Sequence, residues 1–149
     1  MTANVAAKCV LERHCWDLLI LSWSVAVVST LGALFIGEIM GQAPCNLCWF
    51  QRAFMFPLAV ILGVACYVSD THVWRYGLPI AALGWSIALY HSVLYAGILP
   101  AALEPCGSGP SCSNNAMLVF GGVPIPLLSL AAFTVISIAL VLLCRRSFK

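Results

Sequence analysis

Residues 44–52 read Pro44-Cys45-Asn46-Leu47-Cys48-Trp49-Phe50-Gln51-Arg52 and run directly into an apolar stretch that continues to residue 68. A Cys-x-x-Cys pair, two aromatic residues and an arginine thus stand at the head of a segment long enough to cross a bilayer, which takes about 20 residues at ~1.5 Å rise each. Hydrophobic runs flank the motif on both sides. It therefore belongs to a membrane helix end rather than to a soluble loop.

Working outward, four such runs cover about residues 18–37, 49–68, 76–99 and 125–144. The chain is 62% hydrophobic and 8% charged, with mean hydropathy +1.01. A soluble domain carries roughly 25% charged residues. Strand-length alternation of the kind that builds a membrane barrel is absent. The expected architecture is an all-α membrane protein, a four-transmembrane-helix bundle forming one integral membrane domain over residues 1–149. The first run is too long for the apolar part of a signal peptide and lacks a small-residue cleavage site, so it reads as an uncleaved span.

The net charge of +2 says less than its placement. With both termini cytoplasmic, Lys8, Arg13, Arg75, Arg145, Arg146 and Lys149 lie inside and Arg52 alone lies outside. That asymmetry is the positive-inside pattern for four spans. It places two loops, about 38–47 and 100–124, on the outer face. Of the eight cysteines, Cys45, Cys48, Cys106 and Cys112 then face a compartment where disulfides persist, whereas Cys9, Cys15, Cys66 and Cys144 stay on the reducing side. Closeness in sequence suggests the pairs Cys45–Cys48 and Cys106–Cys112.

Residues 1–17 are polar and read as a short interfacial helix. Gly41-Gln42-Ala43-Pro44 makes a turn, and Pro44 suits a helix start. Pro57 is expected to kink the second span. His91 falls about two turns from the outer end of the third. The second outer loop holds so many Gly and Pro residues that no long regular element fits there. No glycine-rich phosphate loop is present, and nothing points to nucleic acid.

On a helix, spacings of three and four bring Cys45, Cys48 and Arg52 onto one face. The positive end of the helix dipole and the Arg52 cation both favour a thiolate there. Arg52 is either a functional intramembrane charge or a side chain snorkelling to the headgroups. The Cys45–Cys48 pair is either redox-active or a plain staple. Cys106-Gly-Ser-Gly-Pro-Ser-Cys112 closes so small a ring that a disulfide there stabilises little, which favours exchange over a structural role. His91 either meets a quinone-like carbonyl or makes an ordinary helix–helix hydrogen bond. Trp49, Phe50, Phe54 and Phe56 either line a flat apolar pocket or belong to an interfacial belt. The four outer thiols also admit a tetrahedral zinc site, which makes a metal-binding or transport protein the alternative class. A structural membrane subunit with inert disulfides is a third.

The nonapeptide at residues 44–52, four spans and a Pro-Cys-x5-Cys second loop resemble the DsbB/BdbC family of bacterial membrane thiol:quinone oxidoreductases, on its short-loop BdbC-like branch. The resemblance implies disulfide generation at the bacterial inner membrane, with a quinone (ubiquinone or menaquinone) as cofactor and a DsbA-like thioredoxin-fold oxidase as partner. It implies that Cys106 forms the mixed disulfide with that partner and that Cys112 then engages Cys45. Cys48 would be the thiolate that reduces the quinone, with Arg52 assisting and His91 close to it. Gln51 departs from the pattern, being uncharged where some members carry an acid. Relatives of vitamin K epoxide reductase place their Cys-x-x-Cys after the loop pair and fit less well.

Overall fold

Apolar length and helix propensity act together in this chain. A computed structural model describes residues 2–98, 118–119 and 123–147, with the side chains of 2–13, 118–119 and 147 left out of the description. Helix α1 covers Thr2–Leu34 and passes into a π-helical turn at Phe35–Ile39; α2 is Asn46–Val68, α3 is Trp74–Tyr95 and α4 is Ile125–Ser147. Two-residue strands β1 (Leu118–Val119) and β2 (Val123–Pro124) pair antiparallel, Leu118 opposite Pro124 and Val119 opposite Val123. Among the described residues four helical segments are long and apolar enough to span a membrane: His14–Ile39, Asn46–Val68, Trp74–Tyr95 and Ile125–Arg146.

The polar residues 2–17 do not form an element of their own, because no Gly or Pro interrupts the chain before Gly32 and α1 runs through without a stop. Gly41, at φ +67°, turns the chain out of α1 toward Pro44. Ser69 closes α2 in the left-handed region, with Asp70 N–H donating to Ala65 O at 2.9 Å, the 6→1 bond of a Schellman cap. Pro57 lies within α2. Gly97, at φ +70°, follows the end of α3, so that helix stops at Tyr95 and His91 lies one turn from its end.

The helices form a closed ring of contacts: α1 packs on α2 and α4, and α3 packs on α2 and α4. Inside the ring lie Leu19, Leu58, Leu62, Phe133, Ile136, Leu140 and Leu143, all fully buried. Val28, Leu31, Val60, Val64, Leu83 and Ile138 point outward and are exposed, which in lipid is no penalty. Small residues bring the backbones close, as membrane interfaces require. Gly84 faces the Phe133 ring and Gly63 faces the Trp23 indole.

Candidate active site

Alternating helix direction gathers the end of α1, the start of α2, the end of α3 and the start of α4 at one end of the bundle. A small buried cluster closes that end: Cys45, Leu47 and Leu94, with Cys48, Ile87, Tyr90 and Ile125 packed against them. Ser92 Oγ donates to the Pro126 carbonyl at 3.2 Å and ties α3 to α4 at this level.

Cys45 is the N-cap of α2, with extended backbone, and its sulfur accepts from the Cys48 N–H at 3.3 Å. A sulfur in this place does what a Ser or Asp oxygen does at other helix starts. Both cysteines are thiols, with Sγ atoms 2.8 Å apart. The His91 Nε2 lies 3.8 Å from Cys45 Sγ. Three polar groups thus converge on one fully buried sulfur. They hold the Cys45 thiol well below the usual thiol range, mainly through the hydrogen bond with Cys48 and further through His91, against the opposing effect of burial. In the dithiol form the negative charge therefore belongs on Cys45.

Beyond His91 stands Gln51, whose Nε2 is 3.1 Å from His91 Nδ1; both side chains are buried. Sequence reading registered Gln51 only as the residue without an acid's charge. Its spacing of three from Cys48 would have put it on the same helix face, but its partner sits on another helix.

Arg52 turns the other way. Its Nη2 donates to the Ala33 carbonyl of α1 at 2.7 Å, and its guanidinium lies 5.6 Å from the Trp49 ring centre. It is half-buried and makes no ion pair among the described residues. Trp49 and Phe50 are 58% and 54% exposed beside it. The structure thus brings together Cys45, Cys48 and His91, while Arg52, a turn further along α2, is held against α1 and Trp49; Cys106 and Cys112 lie outside the described residues.

The chain matches the family model of the disulfide bond formation protein DsbB over residues 12–143. It belongs to the DsbB family. It is 59% identical over 133 residues to a probable disulfide formation protein of Metapseudomonas resinovorans, covering 89% of this chain and 92% of that one. It is 42% identical over 122 residues to disulfide bond formation protein C of Bacillus subtilis (strain 168), covering 82% and 88%. To a probable disulfide formation protein of Deinococcus radiodurans it is 40% identical over 126 residues, covering 79% and 82%. No solved structure matches. As a DsbB-family chain with four membrane-length helices, it is a multi-pass membrane oxidoreductase of disulfide bond formation. The metal-binding or transport reading gains no support: although Cys45, Cys48 and His91 offer donor atoms within 4.8 Å of one another, the family's chemistry is disulfide generation.

Proposed function

We propose that this chain is a thiol:quinone oxidoreductase, which reoxidises a DsbA-like thioredoxin-fold dithiol and passes the electrons to ubiquinone or menaquinone in the bacterial inner membrane. The observation that carries the reading is Arg52. It is a half-buried cation on a membrane helix, one turn beyond Cys48, without an ion pair among the described residues. Such a charge is costly unless something anionic shares the site. The exposed indole of Trp49 and ring of Phe50 add flat apolar surface beside it. A quinone fits this set, and Arg52, Trp49 and Phe50 would hold it. When bound, it supplies an acceptor for two electrons and two protons.

The two sulfurs divide the work. Cys106 and Cys112 would take the partner's electrons, and the Cys112 thiolate would attack Cys45. While Cys45 is held in that disulfide, negative charge falls to Cys48, whose cation is Arg52. When Cys45 is released, its own donors receive the charge. His91 enters this scheme at the Cys45 sulfur. The positive-inside pattern supports a single membrane domain with cytoplasmic termini and with loops 38–47 and 100–124 outside.

Purified protein, mixed with a reduced DsbA-like partner and a soluble quinone, is expected to bleach the quinone absorbance as the partner is oxidised. Cys48→Ser should stop the bleaching; unchanged turnover in that variant would overturn the proposal.

A further inference from the structure

Nothing in the electron route needs Gln51, yet it is almost fully buried at 5% exposure and its amide sits against a fully buried imidazole. Buried polar groups persist where they are hydrogen-bonded, and each bond fixes who donates and who accepts. A neutral imidazole has one N–H and one bare nitrogen. The partner of one nitrogen therefore decides what the other can do.

The Gln51 amide nitrogen lies 3.1 Å from His91 Nδ1; an amide N–H can only donate, so this contact calls for a bare Nδ1 and a ring proton on Nε2. Nε2 is the nitrogen that faces Cys45 Sγ, 3.8 Å away. That sulfur already accepts from the Cys48 backbone N–H at 3.3 Å and stands 2.8 Å from Cys48 Sγ. A third donor suits an electron-rich sulfur; a bare nitrogen there would set lone pair against lone pair. We propose that Gln51 is a positioning residue that holds His91 in its Nε2–H form, so that the ring donates a hydrogen bond to Cys45 whenever that sulfur carries negative charge.

The arrangement keeps the imidazole a donor and not a base. When an incoming dithiol breaks the Cys45–Cys48 bond, its two electrons reduce both sulfurs and it is itself oxidised to a disulfide. Of its two protons, one stays on Cys48 and points to Cys45 and the other leaves; when the Cys45–Cys48 bond re-forms, the Cys48 proton leaves too, and the quinone would take up two electrons and two protons. The His91 proton is shared with Cys45 while that sulfur is anionic and is not transferred. A glutamate at position 51 would instead accept from Nδ1–H and favour a second ring proton. The resulting fixed cation would lower the basicity of Cys45 and with it its nucleophilicity when it must re-form the bond to Cys48.

The meaning for turnover rests on the thiol:quinone reading, but the tautomer does not. It can be read without quinone, by nitrogen NMR of protein labelled at its 3 histidines and chemically reduced in detergent. Loss of one ring's signals in His91→Gln assigns them. The expected result is a protonated Nε2 and an unprotonated Nδ1 for His91 near neutral pH. Gln51→Glu should add the second proton and extend the Cys45 thiolate absorbance downward by about one pH unit. Gln51→Met, which keeps the volume and removes the donor, should cut kcat about ten-fold with the quinone KM unchanged, and Gln51→Asn should recover part of the loss. A proton on Nδ1 in the wild-type ring, or a Gln51→Glu ring identical to wild type, would overturn the inference. Failure of quinone reduction with the Nε2–H form observed would instead strike the functional proposal alone.

Discussion

Arg52 Nη2 and the Ala33 carbonyl oxygen are 2.7 Å apart, which fastens the cation of α2 to the backbone of α1. The bond falls one turn before Gly37, inside the π-helical turn Phe35–Ile39. Such turns widen a helix by one residue and recur at functional sites. Gly37 is what lets the guanidinium in: a methyl group there would stand 3.0 Å from Nη2 and 3.1 Å from Nη1. Arg52 therefore does not hang freely toward the headgroups. It is held against α1 on one side and the Trp49 ring on the other, with Cys48 a turn away on its own helix.

Gly37→Ala should displace the guanidinium without touching a cysteine. The added methyl asks the guanidinium to give by a few tenths of an ångström; since a misplacement of ~1 Å costs up to about 100-fold, kcat/KM for the quinone is expected to fall by about 2- to 10-fold. Exchange between the Cys106–Cys112 disulfide and the reduced partner, followed by trapping the mixed disulfide with a partner variant that lacks its second, resolving cysteine, should keep its wild-type rate. Equal loss of both would show that the turn supports the fold as a whole.

Arg52→Lys should be a poor replacement. A lysine keeps the charge but replaces the planar fork with a single flexible point donor. It cannot hold the Ala33 carbonyl and lie against Trp49 in the same way. The expected sign is a raised quinone KM, larger still in Arg52→Ala, with thiol exchange intact in both. Steady-state quinone titrations of the three proteins check it; wild-type KM in Arg52→Ala would remove Arg52 from the quinone step.

The spans and the closeness of Cys45 to Cys48 at the head of α2 were legible because each depends on one regularity, apolar length for the first and short sequence spacing for the second. Helical spacing also put Arg52 on the cysteines' face, whereas Cys45 is the extended N-cap and Arg52 turns to α1. What joins two helices was less so. His91 could be placed near the depth of Arg52, but its contact with Cys45 and Gln51 depends on how α3 crosses α2, and no periodicity in either helix encodes that. Gln51 had only its lack of charge to recommend it. The π turn was hidden for a different reason: Gly37 reads as one more small residue until the arginine opposite, 15 positions later in the chain (37 to 52), is seen to need its space. The continuity of α1 through residues 2–17 could have been read from the missing Gly and Pro, had the polar composition not suggested a break.

Gly84→Ala tests the packing that holds α3 on α4. A methyl group there would fall within the Phe133 ring, and Phe133 is fully buried. Overpacking of this kind typically costs about 1–3 kcal/mol. Thermal unfolding in detergent should show that loss. Phe133→Leu added to Gly84→Ala should restore part of it, since residues in contact do not add. A double variant as unstable as the sum of the singles would mean that the two positions do not share the space.

The α2–α3 connection carries a pH-dependent contact. Tyr76 Oη donates to Asp70 Oδ2 at 2.6 Å, and the His72 N–H donates to Asp70 Oδ1 at 2.8 Å. These donors, Tyr76 first, hold the Asp70 carboxyl below its ordinary value. A group depressed in the folded state adds stability above its unfolded pKa of about 3.9 and loses it as pH falls through the lower folded value. Because the contact is exposed, solvent screening limits the benefit to roughly 0.5–1 kcal/mol. Tyr76→Phe should therefore lower the unfolding temperature slightly at neutral pH. The gap to wild type should begin to shrink below about pH 4 and close as the pH falls through the depressed folded value, below which both proteins carry a protonated Asp70. A gap that stayed constant across that range would assign the loss to packing of the ring and not to the charge on Asp70.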